Sequence, residues 1–393
     1  MSRQLKSISE VVWFQEGPGV RKNQYTNNGV KLLNVANLTD SKIDLSTSTR
    51  YISCNEAYGK YKHFLVDDGD LIIASSGIKV EYFDKKMGFV TKEQLPLCMN
   101  TSTIRFKAIN NQQLNIRYFM YYLKSRQFKS QLAKQITGSA QLNFGPSHLK
   151  KMHINLVDLD LQNNIVSILD KLEYTIECKK QQLFKYEELV KSRFIEMFGD
   201  PVSNSKNIMQ LTLPELGKFG RGVSKHRPRN AIELLGGEYP LIQTGDVAKA
   251  DLYITEYSET YSELGLKQSK MWNSGTLCIT IAANIAKTAI LNFDACFPDS
   301  VVGFNANSLT NNIYIHYWFS FFQKILEKQA PESAQKNINL KVLSELKVIV
   351  PPIELQNKFI ECIKSIDKSK LAIEKSIEKL EILKKSLMQE YFG

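Results

Sequence analysis

No stretch of this sequence approaches 18 consecutive apolar residues. The best candidate, LCITIAANIAKTAILNF from Leu277, is broken by Asn284 and Lys287, so no membrane-spanning helix is expected. The opening MSRQLKSISEVVWF has no apolar h-region of the kind a signal peptide carries, and a soluble cytoplasmic protein with no membrane partner is the expectation. The six cysteines, Cys54, Cys98, Cys178, Cys278, Cys296 and Cys362, form no C-x-x-C pair, which argues against a zinc ribbon or a dithiol redox site. His148 and His153 are the only close histidines, at a spacing that fits neither a helical zinc site nor a finger, so no metal is expected. There is no G-x-x-x-x-G-K-[ST] phosphate loop. A methyltransferase would need a Gly-rich cofactor turn and an Asn/Asp-Pro-Pro-aromatic segment, yet the only Pro-Pro, Pro351-Pro352, lies between Val350 and Ile353. A nuclease pairing of Asp299 with the Glu345–Lys347 segment is disfavoured, because PDSVVGF reads as a buried strand. These absences predict a non-catalytic chain with no cofactor of its own.

What is present is basic and duplicated. A formal net charge of +11 favours a polyanionic partner, nucleic acid or an anionic surface. Hydrophobic residues make up 43% of the 393, enough to exclude general disorder and to build two cores of ordinary size. The segment Ser139–Gly199 aligns without a gap on Ser333–Gly393, with 16 identities over 61 residues that include SAQ, LQN and the closing FG. Average composition would give roughly 4 by chance, so the chain is two units in tandem.

Each copy carries a long uninterrupted helical pattern. From Leu161 the heptad series Leu169, Ile176, Leu183, Val190 and Met197 is apolar, while Ile165, Leu172, Lys179, Tyr186 and Arg193 is mixed. In the second copy Phe359, Ile366, Ile373, Leu380 and Leu387 form the apolar seam. Some 37 helical residues span roughly 55 Å, more than one small domain needs. Each helix could simply cover its own domain, but length and duplication favour an antiparallel pair of arms that separates two globular units, a dumbbell with approximate two-fold symmetry.

The globular units read as short strands and turns followed by helix: VKLLNVANL, KHFLVDDGDLIIASSGI and MNTSTIRFKAI in the first, YPLIQTGDVA, SGTLCITIAANIAKTAILNF and FPDSVVGFNA in the second. The fold class expected is mixed α/β (α+β). The strongest charge signal is GKFGRGVSKHRPRN, where Lys218, Arg221, Lys225, Arg227 and Arg229 fall within 12 residues without an acid. Guanidinium groups pair with phosphates or bidentately with guanine, and His226 can also donate. A solvated basic loop is the commoner fate of such a cluster taken alone. Gln243, Thr244 and Asp246 offer base-reading groups but also form turns, and Asn34 and Asn37 occupy the corresponding place in the first unit. Arg21, Lys22, Lys79, Lys85 and Lys86 lie in nearby loops, and Gln141 and Gln335 lie in the repeated SAQ segments, where capping competes with DNA contact.

Taken together, YPLIQTGDVA, NIAKTAILNFDACFPDSVVGF, QKNINLKVLSELKVIVPPIELQNKF, LKKSLMQEYFG and the GRGVSKHRPRN loop resemble the DNA-specificity subunits of Type I restriction-modification systems over essentially the whole chain. The resemblance implies a first target-recognition domain at 1–155, a helical arm at 156–199, a second recognition domain at 200–349 and a second arm at 350–393. It implies that each recognition domain reads half of a split, asymmetric target in double-stranded DNA. It also implies two modification (methyltransferase) subunits docked on the arms, supplying S-adenosylmethionine chemistry, and a restriction subunit that cuts unmodified DNA. The residues expected at DNA are Arg21, Lys22, Asn34, Lys79, Gln141, Lys218, Arg221, Lys225, His226, Arg227, Arg229, Gln243, Thr244, Asn284, Lys287 and Gln335. Those expected at partner subunits are Leu169, Ile176, Leu183, Val190, Phe359, Ile366, Ile373, Leu380 and Leu387. A free-standing DNA-modifying enzyme is disfavoured by the missing motifs, and a purely structural coiled-coil adaptor by the basic loop.

Overall fold

The computed structural model describes residues 4–47, 49–135, 142–329 and 338–393, and the chain divides into two compact units. The first comprises residues 1–179 and 375–393, the second 180–374.

In the first unit the strands that frame the core include β1 (Gln4–Ser7), β2 (Val12–Glu16), β3 (Val30–Leu33), β4 (Leu71–Ala74), β5 (Met87–Phe89), β6 (Leu97–Met99), β7 (Thr103–Ala108) and β8 (His153–Leu156). An antiparallel sheet runs β2-β7-β4-β5, β6 pairs in parallel with β3, and β1 pairs with β8. The Leu-Ile-Ile-Ala of β4 is buried throughout, as a strand covered on both faces must be. Helices α1 (Ile116–Lys124) and α2 (Arg126–Gln135) precede the long α3 (Leu159–Phe198). Asn115 starts α1 by accepting from the Arg117 amide (2.9 Å), satisfying one of the free donors of the first turn.

The second unit repeats the plan with β9 (Gln210–Thr212), β10 (Gly217–Arg221), β11 (Leu235–Leu241), α4 (Thr244–Lys249), β12 (Tyr253–Ile254), β13 (Leu277–Thr280), β14 (Thr288–Leu291), β15 (Ala295–Cys296), β16 (Val301–Ala306), α5 (Asn312–Gln329), β17 (Lys347–Ile349) and α6 (Ile353–Phe392). Its main sheet runs β10-β16-β13-β14-β12, β15 pairs in parallel with β11, and β9 pairs with β17.

The repeated LQN has a structural cause. Gln162 is fully buried one turn into α3; its amide donates to the Gln113 and Val157 carbonyls, and its oxygen accepts from the Asn115 amide. Gln356 does the same one turn into α6, donating to Leu309 and Pro351 and accepting from the Thr310 hydroxyl. Gln162 thus ties α3 to the loop before α1, and Gln356 ties α6 to the loop before α5. A buried amide is retained only when its hydrogen bonds are made.

The repeated Phe-Gly has one too. Phe198, at the end of α3, packs 5.3 Å from the ring of Tyr314 in the core of the second unit. Phe392, at the end of α6, packs 5.0 Å from Tyr118 in the core of the first. Within the second unit Glu187 faces Lys370 and Phe198 meets Phe359, so numbers fall on α6 as they rise on α3 and the helices run antiparallel. Within the first unit Glu173 of α3 pairs with Lys124 (3.2 Å) and with Lys384 of α6 (2.9 Å). Burial opposes the charge on Glu173, but the two ammonium groups hold its carboxyl below the usual range.

Candidate nucleic-acid interface

One end of the main sheet gathers the basic and amide-bearing loops. In the second unit β10 finishes at Arg221, and the Gly222 amide donates to the Val301 carbonyl at the start of β16 (2.8 Å). At the same end β13 finishes at Thr280, and the Ile281 amide donates to the Ser300 carbonyl (3.0 Å). The basic loop after Arg221, the turn at Asp299–Ser300 and the loop from Ile281 to Lys287 therefore emerge together. No side chain fits at Gly222, where a Cβ would lie 2.2 Å from the Phe297 carbonyl oxygen.

The first unit builds the same end with the same bonds. The Gly17 amide donates to Thr103 (2.9 Å) and the Ser75 amide to Ser102 (2.8 Å). A Cβ on Gly17 would lie 2.0 Å from the Asn100 oxygen. The segments after the SAQ repeats dock here as well: the Phe144 amide donates to Ser75 and the Ile338 amide to Ile281. Gln141 and Gln335 themselves lie outside the described residues.

The basic loop is anchored from beneath. The Gln268 side-chain oxygen accepts from the amides of Lys225 (2.7 Å) and His226 (3.1 Å), and the Ser269 hydroxyl donates to the Val223 carbonyl (2.7 Å). Lys225, Arg227 and Arg229 are exposed and His226 half-buried. Arg227 donates to the carbonyls of Ser224 (2.7 Å) and His226 (2.8 Å), and Arg229 pairs with Asp299 (2.6 Å). Lys218 and Arg221 are exposed on β10, three residues apart, so they leave opposite faces of the strand. Lys270, which lies over the Trp272 ring at 3.8 Å, and Asp299 join this region as well. The run Lys267-Gln268-Ser269-Lys270-Met271-Trp272, basic residues interleaved with an aromatic, carried the signal.

Asn284 and Lys287 are exposed on a loop whose shape is imposed. The Thr280 hydroxyl donates to the Asn284 carbonyl and accepts from the Lys287 amide, while Ala283 and Ala286 adopt φ of 60° and 55°. Two alanines in the left-handed region store backbone strain that the surrounding bonds must hold.

Gln243 and Thr244 begin α4; the Gln243 amide donates to the Asp246 carboxylate (2.8 Å) and its side chain to Glu259 (3.0 Å). Asn34 corrects the expectation for the first unit. It is buried, its side chain donates to the Leu32 carbonyl and accepts from Asn100, and its backbone amide donates to Asn37 as Gln243 does to Asp246. It builds the turn and does not face outward. Arg21, Lys22 and Lys79 are exposed on loops of the first unit.

The arm seams also need correction. Leu169, Ile176, Val190, Phe359 and Ile366 are buried within this chain, and Leu183, Ile373, Leu380 and Leu387 are half-buried, Leu387 against the first core. An apolar seam at heptad spacing is spent on the chain's own packing here. The outward apolar side chains are instead Tyr174, Phe184, Leu189 and Ile195 on α3 and Leu355, Leu371, Ile382 and Leu383 on α6. No helix among the described residues is long and apolar enough to cross a membrane.

A family model for the Type I restriction modification DNA specificity domain matches residues 1–187 and 206–384. The chain is 22% identical over 396 residues to a Methanocaldococcus jannaschii protein assigned as the type I restriction enzyme MjaX specificity subunit, covering 98% of this chain and 91% of that one. It is 24% identical over 192 residues to the MjaVIII specificity subunit of the same organism, 48% of this chain and 43% of the relative. In fold it is similar to a chain solved in work on complex assembly and conformational transition of the type I R-M system, with a TM-score of 0.57, 16% identity, and 100% and 97% of the two chains covered. The Type I restriction-modification S subunit from M. genitalium gives a TM-score of 0.54 at 15% identity, with 100% and 96% covered.

Proposed function

Since the chain belongs to the Type I restriction modification DNA specificity family, and is thus a recognition component and not a catalytic one, we propose that its two sheet ends each read one half of a bipartite, asymmetric target in double-stranded DNA. The observation that carries this reading is the convergence, in both units and through the same backbone bonds, of the loops bearing Arg21, Lys22 and Lys79 in one and Lys225, Arg229, Asn284 and Lys287 in the other. Cationic loops at a rigid sheet end supply phosphate contacts that set register, and amide and guanidinium groups supply base contacts that set sequence.

Two modification subunits would dock on the outward faces of the long helices. The apolar side chains at Leu189 and Leu383, which occupy matching places in the two copies, support two equivalent surfaces for two copies of one partner. S-adenosylmethionine would be held by those subunits, and a restriction subunit would join the same assembly. The complex would work in the cytoplasm, where the DNA is.

The test is a genome-wide methylation map of a methylation-free bacterial host expressing this chain with its modification subunit, against the modification subunit alone. A split motif that appears only with both is the expected result. A stable co-purifying complex that leaves no motif would refute target reading and favour a structural adaptor.

A further inference from the structure

Asp299 lies at the reading end of the second sheet, in the turn that leads into β16. Its Oδ2 accepts a hydrogen bond from the Arg229 Nη2 (2.8 Å), its Oδ1 lies in ion-pair contact with the same nitrogen at 2.6 Å, and the Arg227 guanidinium stands 3.8 Å away. The two arginines are not equivalent. Arg227 spends Nη1 on the carbonyls of Ser224 and His226, two residues of its own loop. Arg229 is held through Nη2 alone, and its Nη1 and Nε make no hydrogen bond among the described residues, while about half of its side chain is exposed (46%). Both guanidinium groups keep donors without a hydrogen bond among the described residues, Nη2 and Nε on Arg227 and Nη1 and Nε on Arg229; what sets Arg229 apart is its hydrogen bond to the Asp299 carboxylate.

We infer that Asp299 is a positioning residue for DNA reading. It holds the Arg229 guanidinium by one nitrogen so that the free donors meet a guanine edge or a phosphate. A guanidinium on a flexible stem loses much rotamer freedom when it binds, and an acid that already holds it removes part of that cost. Among the described residues the first unit shows no acid placed in this way beside Arg21. The bond from Gly17 to Thr103 puts Thr101 where Asp299 stands, and Arg21 has no acidic partner among the described residues.

The inference rests on the DNA-reading assignment, and one experiment separates the two. The complex with the modification subunit is titrated, at two salt concentrations, with DNA carrying the mapped target and with versions in which either half is scrambled. The wild type is compared with Asp299→Asn, Asp299→Glu, Arg229→Ala and the double variant Asp299→Asn/Arg229→Ala, each checked by its melting temperature. Asp299→Asn is expected to lose about ten-fold of the discrimination at one half-site only, with the other half-site and the melting temperature unchanged. Asp299→Glu should recover part of the loss, and the double variant should lose no more than Arg229→Ala, because coupled residues are not additive. Unchanged discrimination in Asp299→Asn, equal loss at both half-sites, or additive losses would overturn the positioning role. A wild-type complex that ignores scrambling of both halves would instead overturn the reading assignment itself.

Discussion

At the sheet end of the first unit the chain passes from Asn100 through Thr101 and Ser102 into β7; in the second it passes from Pro298 through Asp299 and Ser300 into β16. The backbone bonds around these turns match pair for pair: Gly17 with Gly222, Ser75 with Ile281, Phe144 with Ile338. What stands on them does not match. Lys86 donates its ammonium to the Leu38 carbonyl (2.8 Å), while Lys287, which accepts the same strand amide, is exposed. The first loop runs from Ser75 to Lys86, the second only from Ile281 to Lys287. The difference teaches where variation is tolerated: main-chain pairing fixes the frame, and side chains and loop length on it are free to differ.

The largest effects should fall where the units are most alike. Phe198→Ala and Phe392→Ala each remove a ring from a packed aromatic core, and each should cost about 3–5 kcal/mol. Denaturant unfolding with a probe in each unit should show Phe198→Ala weakening the second and Phe392→Ala the first. The reverse assignment would break the comparison. Gly17→Ala and Gly222→Ala force a methyl group onto a carbonyl oxygen, and should cost about 3 kcal/mol each. Gln162→Ala and Gln356→Ala leave buried donors and acceptors unpaired, an expected loss of about 2 kcal/mol apiece by thermal or chemical melting.

Acid should separate the units. Tyr118 and Tyr314 hold equivalent carbonyls, those of Asn155 and Ile349, and two residues further along the helix the first unit has Met120 and the second His316. Burial depresses His316 from 6.5 to about 4. A histidine kept neutral in the folded state contributes stability that is fully present above pH 6.5 and is lost as the pH falls from there toward 4. The second unit should therefore weaken across that window, and His316→Gln should abolish the difference in a pH series of melting curves. The smallest effect is at the surface. Lys287→Ala should lower the salt slope of DNA binding by about 0.9, whereas Lys86→Ala should leave it unchanged in the same titration.

Much of this was legible in the sequence. The ungapped repeat located both long helices, expected from Leu161 and found over Leu159–Phe198 and Ile353–Phe392, because an unbroken heptad pattern without Gly or Pro has few other solutions. The basic loop at Lys225–Arg229 was legible as a run of charge. Other features were not. Periodicity tells which face of a helix is apolar but not what covers it, so Leu169 and Phe359 read as partner surfaces when they are core. Asn34 is chemically able to read a base and is spent on a turn. Asp299 lies 70 residues from Arg229, and only the pairing of β10 with β16 brings them together.

The placement of Phe392 also bears on synthesis. The first compact unit needs residues 375–393, while the second is complete at residue 374. A ribosome adding about 5–20 residues per second takes roughly 10–40 s to pass from Lys179 to Lys375. Throughout that interval the half that was made first waits without Phe392 against Tyr118, and the half made second can complete its packing before it. The order in which the two cores are completed can then run opposite to the order of translation.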